Sequence, residues 1–308
     1  MLSATKVPVR TRRPELRPAK LIALPSERRW LAWMRSFAAA PAGVLGALLV
    51  GLHVIAAMGA PYLAPFPPTE FHLEDVLQAP STTYLFGTDQ YGRDVFSRVL
   101  YGGRSALMIS IAATALGLLA GGAIGMAAGY YGGLVDELLM RATDALLAFP
   151  SLLLAMLILA MVGPNTENLI LGIGLIFAPR VARVARSVTL DLCTREYVAA
   201  ARLRGESSLY ILTREILPNA LGPLIVEGSI RISYAILLVG TLGFLGLGVQ
   251  PPSPDWGLTI AEARNFIAVA PWMVFFPAAA IASLVVGANL LADGLYRTLD
   301  PAGGRMRR

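Results

Sequence analysis

The sequence predicts an all-α membrane protein: a polytopic bundle of six transmembrane helices with a short helical segment on its cytoplasmic side. Three observations carry that prediction. Of the 308 residues, 56% are hydrophobic and 15% charged, against about 45–50% and 25% in soluble domains. Apolar runs near the roughly 20-residue length of a crossing recur at 39–59, 105–128, 146–163, 168–188, 219–248 and 272–292. The cationic residues are also unevenly spread. With the N-terminus inside, 21 of the 26 Lys and Arg residues face the cytoplasm: nine in the tail, one at Arg141, seven in 180–214 and four at the C-terminus. Only Arg93, Arg98, Arg104 and Arg264 fall outside, and Arg231 lies within a span. The positive-inside rule then places both termini and the 189–218 loop in the cytoplasm.

Each element has its own signal. Residues 1–36 form a basic, proline-containing tail suited to an anionic membrane surface. The first apolar run begins near Phe37, too late and too long for a cleavable signal, so it is expected to remain as an anchor. His53 stands alone in it and reads as a satisfied or interfacial histidine. The first span and an outer loop occupy 37–104, where Pro61, Pro65, Pro67, Pro68, Gly87 and Gly92 argue for a rigid irregular crossing. Asp89, Arg93, Asp94 and Arg98 are spaced for local ion pairs on a short helix. Such a loop either plugs the outer mouth or offers a landing surface to an external protein. QPPSPDWG (250–257), with Asp255 and Trp256, is expected on the same surface.

Five further spans make up a core at 105–301. Gly117, Gly121, Gly125 and Gly129 repeat every four residues along the second span, a packing seam for a neighbouring helix. DELLMRATDALLAF has helical period and is expected to extend the short third span into the cytoplasm as one longer helix. The fifth span opens on Pro218 and Pro223 and carries Glu227 and Arg231 at i,i+4 spacing. Ionisable groups at that depth are functional candidates by default. This pair either lines a path, meeting the ends of a zwitterionic solute, or neutralises itself. A basic tail at 302–308 closes the chain.

Several function classes are excluded. One cysteine, Cys193, and two histidines, His53 and His72, build neither a disulfide framework nor a metal cluster. The spans carry no paired catalytic acids and no nucleophile beside a base, so no catalytic residue is assigned. No G-x-x-x-x-G-K run is present to cradle nucleotide phosphates. The arginines lack interleaved aromatics, which argues against nucleic acid.

The most informative segment is EYVAAARLRGESSLYILTREILPNALGPL, Glu196–Leu224. Glu196–Arg204 reads as a helix, Gly205 as a bend, and Ser207-Ser208 as the cap of a second short helix running from Leu209 to Arg214 before Pro218. Gly205 then needs either a φ closed to other residues or a close backbone approach. Thin alanine surface beside Tyr197, Leu209 and Leu212 suits a protein partner. A helix lying on lipid headgroups is the alternative.

This stretch resembles the EAA loop of ATP-binding-cassette importer permeases: Ala200-Ala201, then Gly205, then a closing Leu217-Pro218. The family's acidic position falls on Ala199, and Glu196 sits one turn earlier. Four more segments resemble the C-type subunit of the dipeptide, oligopeptide and nickel branch: LFGTDQYGRDVFSRVLYGGRSAL (85–107), FPSLLLAMLILAMVGP (149–164), FLGLGVQPPSPDWG (244–257) and DGLYRTLDP (293–301). The likeness runs over about 40–301, with the five segments in order.

The resemblance implies a type I importer permease fold in a bacterial inner membrane and a subunit without chemistry of its own. It implies a second, unlike permease as heterodimer partner, two cytosolic ATPases that hold ATP and Mg, and an extracytoplasmic binding protein that delivers the solute. It also implies an ATPase-docking surface from Glu196, Tyr197, Ala200, Ala201, Arg204, Gly205, Ser207, Leu209 and Leu212. Asp89, Arg93, Asp94, Asp255 and Trp256 become candidates for contact with the binding protein. The alternative class is a self-sufficient secondary transporter, against which stand the lack of an internal repeat and a single deep acid, Glu227.

Overall fold

The computed structural model describes residues 37–38 and 40–299; the basic tails at 1–36 and 302–308 lie outside the described residues. The described chain is all helical apart from loops and a single isolated β-bridge. The crossings are α1 (Pro41–Leu63), α2 (Val95–Tyr131), the bent pair α3 (Gly133–Leu147) and α4 (Ser151–Val162), α5 (Thr166–Leu192), a rod over Ser208–Phe244, and α10 (Trp272–Leu299). Between them lie the short helices α6 (Glu196–Leu203) and α9 (Trp256–Ala263). Five helices are long and apolar enough to cross a membrane, and the bent pair taken as one span makes six.

Two expectations fail at prolines. The third span does not continue into a single longer helix, because α3 and α4 meet at 89°. Pro150 has no N–H to donate and disfavours helical backbone at Phe149; its own ψ of 125° turns the chain before Ser151. At Pro218 the opposite happens. No second helix ends there; α7 (Ser208–Tyr210) passes through a π-helical turn, Ile211–Ile216, into α8 (Leu217–Phe244). An α-helix would leave the Arg214 carbonyl facing a ring without a donor. In the widened turn the Leu217 N–H reaches back to the Leu212 carbonyl, and the rod runs on.

The glycine seam of α2 packs against α5 of the same chain. A Cβ at Gly117 would lie 2.8 Å from Cβ of Phe177, and one at Gly129 equally close to Cβ of Thr189. At Gly121 and Gly125 it would overlap the carbonyl oxygens of Ala178 and Ala182. The backbones therefore touch along four turns, which only glycine permits. A second seam, Gly43 and Gly46 of α1 against Gly287 and Gly294 of α10, was not singled out in the sequence. The core joins Ile109 and Ala113 of α2, Leu159 of α4, Ile173 and Phe177 of α5, and Val239 and Leu242 of α8. Asp136 and Asp144 of α3 meet Arg186 and Arg183 of α5 at 2.5 Å, tying the bent pair to the bundle.

Candidate functional site

The loop after α5 closes by local geometry. At the end of α6, Gly205 adopts φ +76°, its N–H bonds the Arg202 carbonyl at 3.0 Å and the Glu206 N–H bonds the Ala201 carbonyl at 3.2 Å. This is a Schellman motif, whose left-handed residue favours glycine. A Cβ there would meet nothing within 4 Å, so of the two expected reasons for glycine it is the backbone angle that applies. Ser207 then caps the rod, its Oγ accepting from the Tyr210 N–H at 3.2 Å.

The loop is held under the bundle by Val198, Ala201, Ile211 and Ile216, which pack with Met126 and Tyr130 of α2 and Leu192 of α5. The Arg202 guanidinium lies over the Tyr130 ring, 5.2 Å from its centroid. The docking candidates therefore divide. Glu196, Ala200, Arg204, Gly205, Ser207 and Leu209 are exposed, and Tyr197 and Leu212 are half-buried. Ala201 is fully buried against its own chain and presents no surface. It lies on the inward side of α6, two residues short of the outward Leu203, a division the run of three alanines does not reveal.

Leu203 was missed. It is 91% exposed, between two arginines and beside the bend, and Leu209 across the bend is 71% exposed. Its signal in the sequence is its spacing, three and four residues after Ala200 and Ala199, which puts it on their face. Arg204 stands near Glu206 and Glu215, at 3.4 and 3.6 Å. Cys193, a free thiol packed against Val198 and Ile211, is pushed up by burial, which fits an inert role.

Within the bundle, Arg231 Nε donates to Glu227 at 2.7 Å, and both side chains are 11% exposed. Phe177 and Tyr234 flank the guanidinium at 5.9 and 5.4 Å. Glu227→Ala is expected to cost about 1.5–3 kcal/mol, because the ring faces compensate Arg231 only in part. The purified protein's unfolding midpoint measures this. A Glu227→Leu/Arg231→Met double variant should lose less, and full uptake in it would make the pair purely structural. His53 is satisfied, bonding the Leu49 carbonyl at 3.0 Å and Ser283 Oγ at 3.2 Å.

Around the N-terminal end of α2, Asp89, Arg93, Asp94, Asp255 and Trp256 are at most 4% exposed. As placed, these side chains turn inward and offer almost no surface to another protein; they hold the loop before α2 and α9 together. Nor do the four charged residues of 89–98 form a short helix. Gly92 at φ +74° and the bridge between Thr88 and Asp94 make a turn; the Asp94 carboxylate caps α2, accepting from the Ser97 N–H at 2.8 Å. The expected Arg93–Asp89 pair forms at 2.6 Å across that turn. Arg93 also reaches Glu262 of α9 at 2.7 Å, a partner sequence spacing cannot reveal from 169 residues away. Arg98 lies 3.8 Å from Asp89 and 3.7 Å from Glu262, completing a four-residue network. Trp256 Nε1 donates to the Val99 carbonyl at 2.8 Å. Burial pushes the Asp255 carboxyl up to about 6, against the Leu258 and Gly257 amides and the Arg98 charge, which lower it.

Known proteins agree with this architecture. Residues 121–304 match the family described as the binding-protein-dependent transport system inner membrane component. The dipeptide transport system permease protein DppC of Alkalihalophilus pseudofirmus is 40% identical over 258 residues, covering 84% of this chain and 85% of its own. The di/tripeptide transport system permease protein DppC of Pseudomonas aeruginosa is 40% identical, covering 84% and 88%. The glutathione transport system permease protein GsiD of Pectobacterium atrosepticum is 38% identical over 283 residues, covering 92% and 93%. Helical crossings, a capped loop after α5 and these matches converge: the chain belongs to the binding-protein-dependent transport system inner membrane components, the permease subunits of ATP-binding-cassette importers.

Proposed function

We propose that this permease carries small peptides inward as half of a heterodimeric pathway, with a second, unlike permease as the other half. The cargo reading is supported by the substrates for which its relatives are named, a dipeptide, a di/tripeptide and glutathione. Two cytosolic ATPases hold ATP and Mg and supply the work, and an external binding protein delivers the peptide to the outer side. No reaction step is assigned to this chain's residues. The observation that carries the coupling role is the exposed face of the loop, where Ala199, Ala200, Leu203 and Leu209 stand out from a segment pinned to the bundle. An unpartnered leucine at 91% exposure beside arginines suits a protein groove with acidic rims. Both termini lie in the cytoplasm on this reading.

The test is reconstitution. The full complex with its binding protein is expected to take up dipeptide into vesicles only with ATP on the ATPase side, and the chain alone to move none in any ion gradient. Gradient-driven uptake by the chain alone would instead establish a secondary transporter. Single cysteines report orientation in the same vesicles: Ser207→Cys should label from the cytoplasmic side and Thr82→Cys from outside. Arg297→Cys serves the C-terminal end better than Thr298, which is buried and bonded to the Gly294 carbonyl.

A further inference from the structure

Arg180 is the one arginine of α5 without a carboxylate partner among the described residues, since Arg183 and Arg186 hold Asp144 and Asp136. It follows the first residue of α5, Thr166, by 14 positions and precedes the last, Leu192, by 12. It lines a cavity of about 280 Å³ where α3 and α4 part, with Phe149, Pro150, Ser151 and Ile176 among the walls. One turn further, Val184 enters a second space of about 540 Å³, shared with Pro223, Glu227 and Ile230 of α8 and Tyr296 of α10.

Ile176, Arg180 and Val184 follow one another at four-residue intervals, so both spaces open along a single stripe of α5. In the second space Glu227 is already matched by Arg231. The stripe therefore carries one uncompensated positive charge, on a side chain exposed at the cavity. A charged side chain that lines such a space without a carboxylate of its own is a candidate to fix the orientation of a solute there. A guanidinium fork fits the two oxygens of a carboxylate.

We propose that Arg180 is a carboxylate-contacting station on the translocation path, taking the C-terminal carboxylate of a passing peptide while its body lies toward the groove at Glu227. The residues that open the two spaces, Arg180 and Val184, are about 6 Å apart along the helix axis, within the roughly 7 Å span of an extended dipeptide. The assignment rests on the peptide cargo proposed above.

The experiment compares the assembled importer carrying wild-type permease, Arg180→Gln or Arg180→Lys, reading dipeptide uptake, co-purification of the second permease, and ATP hydrolysis stimulated by the binding protein. Arg180→Gln is expected to cut uptake about tenfold or more while assembly and stimulated hydrolysis persist, and Arg180→Lys to retain most uptake. Unchanged uptake in Arg180→Gln overturns the proposal. So does loss of the second permease that lysine restores, which would make Arg180 an intersubunit ion pair, and so does a lysine variant as poor as glutamine. Wild-type uptake is measured first: a wild-type complex that moves no dipeptide refutes the cargo reading itself, whereas normal uptake in both wild type and Arg180→Gln refutes the station alone.

Discussion

Asp89→Ala is expected to destabilise the packing of the loop before α2 against α9 by about 3–5 kcal/mol, the cost of leaving a buried ion network short of one partner. Asp89 is 1% exposed, contacts both Arg93 and Arg98, and its Oδ1 also accepts the Tyr91 and Arg93 N–H groups at 2.8 and 2.9 Å. Its removal leaves Glu262 facing two guanidinium groups and two amides without an acceptor. The exposed Arg141–Glu137 pair supplies the contrast. At 2.6 Å but 75% and 55% exposed, its loss should cost only about 0.3–0.5 kcal/mol. Unfolding of the detergent-solubilised permease measures both, and equal midpoints for Asp89→Ala and Glu137→Ala would contradict the network's weight.

The second large effect is expected at Gly205. A side chain forced into the left-handed region costs about 1–2 kcal/mol, and Asn tolerates it better than most. Because a Cβ at Gly205 meets no atom of the described residues within 4 Å, the bulk of a longer side chain is felt by whatever sits against the loop. Gly205→Glu should therefore insert into the membrane and keep the bundle, yet lower ATPase association by about tenfold or more, the equivalent of about 1.4 kcal/mol. Gly205→Asn should retain most of the association. Normal ATPase co-purification and normal stimulated hydrolysis in Gly205→Glu would leave the loop as a helix on the lipid surface.

What could be read from the sequence was whatever periodicity and local chemistry decide. Apolar length located the spans, four-residue glycine spacing exposed the α2 seam, and the Ala-Ala-Gly run placed a bend at Gly205. The failures share a physical origin in contacts between distant segments or in competing backbone rules. Pro150 breaks a helix and Pro218 does not, because a π-helical turn precedes the second, and nothing local announces that turn. Asp89 and Arg93 look like a solvated pair until Glu262, from the far end of the chain, arrives to bury them. Among three consecutive alanines, only the packing of Ala201 against the cluster with Met126 and Tyr130 decides which face is left for a partner.

Cross-linking separates the inward from the outward face of the loop. In a Cys193→Ser background, a single cysteine at Leu203 or at Ala201 is paired with a short bifunctional thiol reagent in the assembled complex. Strong cross-linking to an ATPase subunit is expected from position 203, which is 91% exposed, and little from position 201, which is fully buried. Equal cross-linking from both positions, or none from 203 in a complex that hydrolyses ATP normally, would contradict this division of the loop.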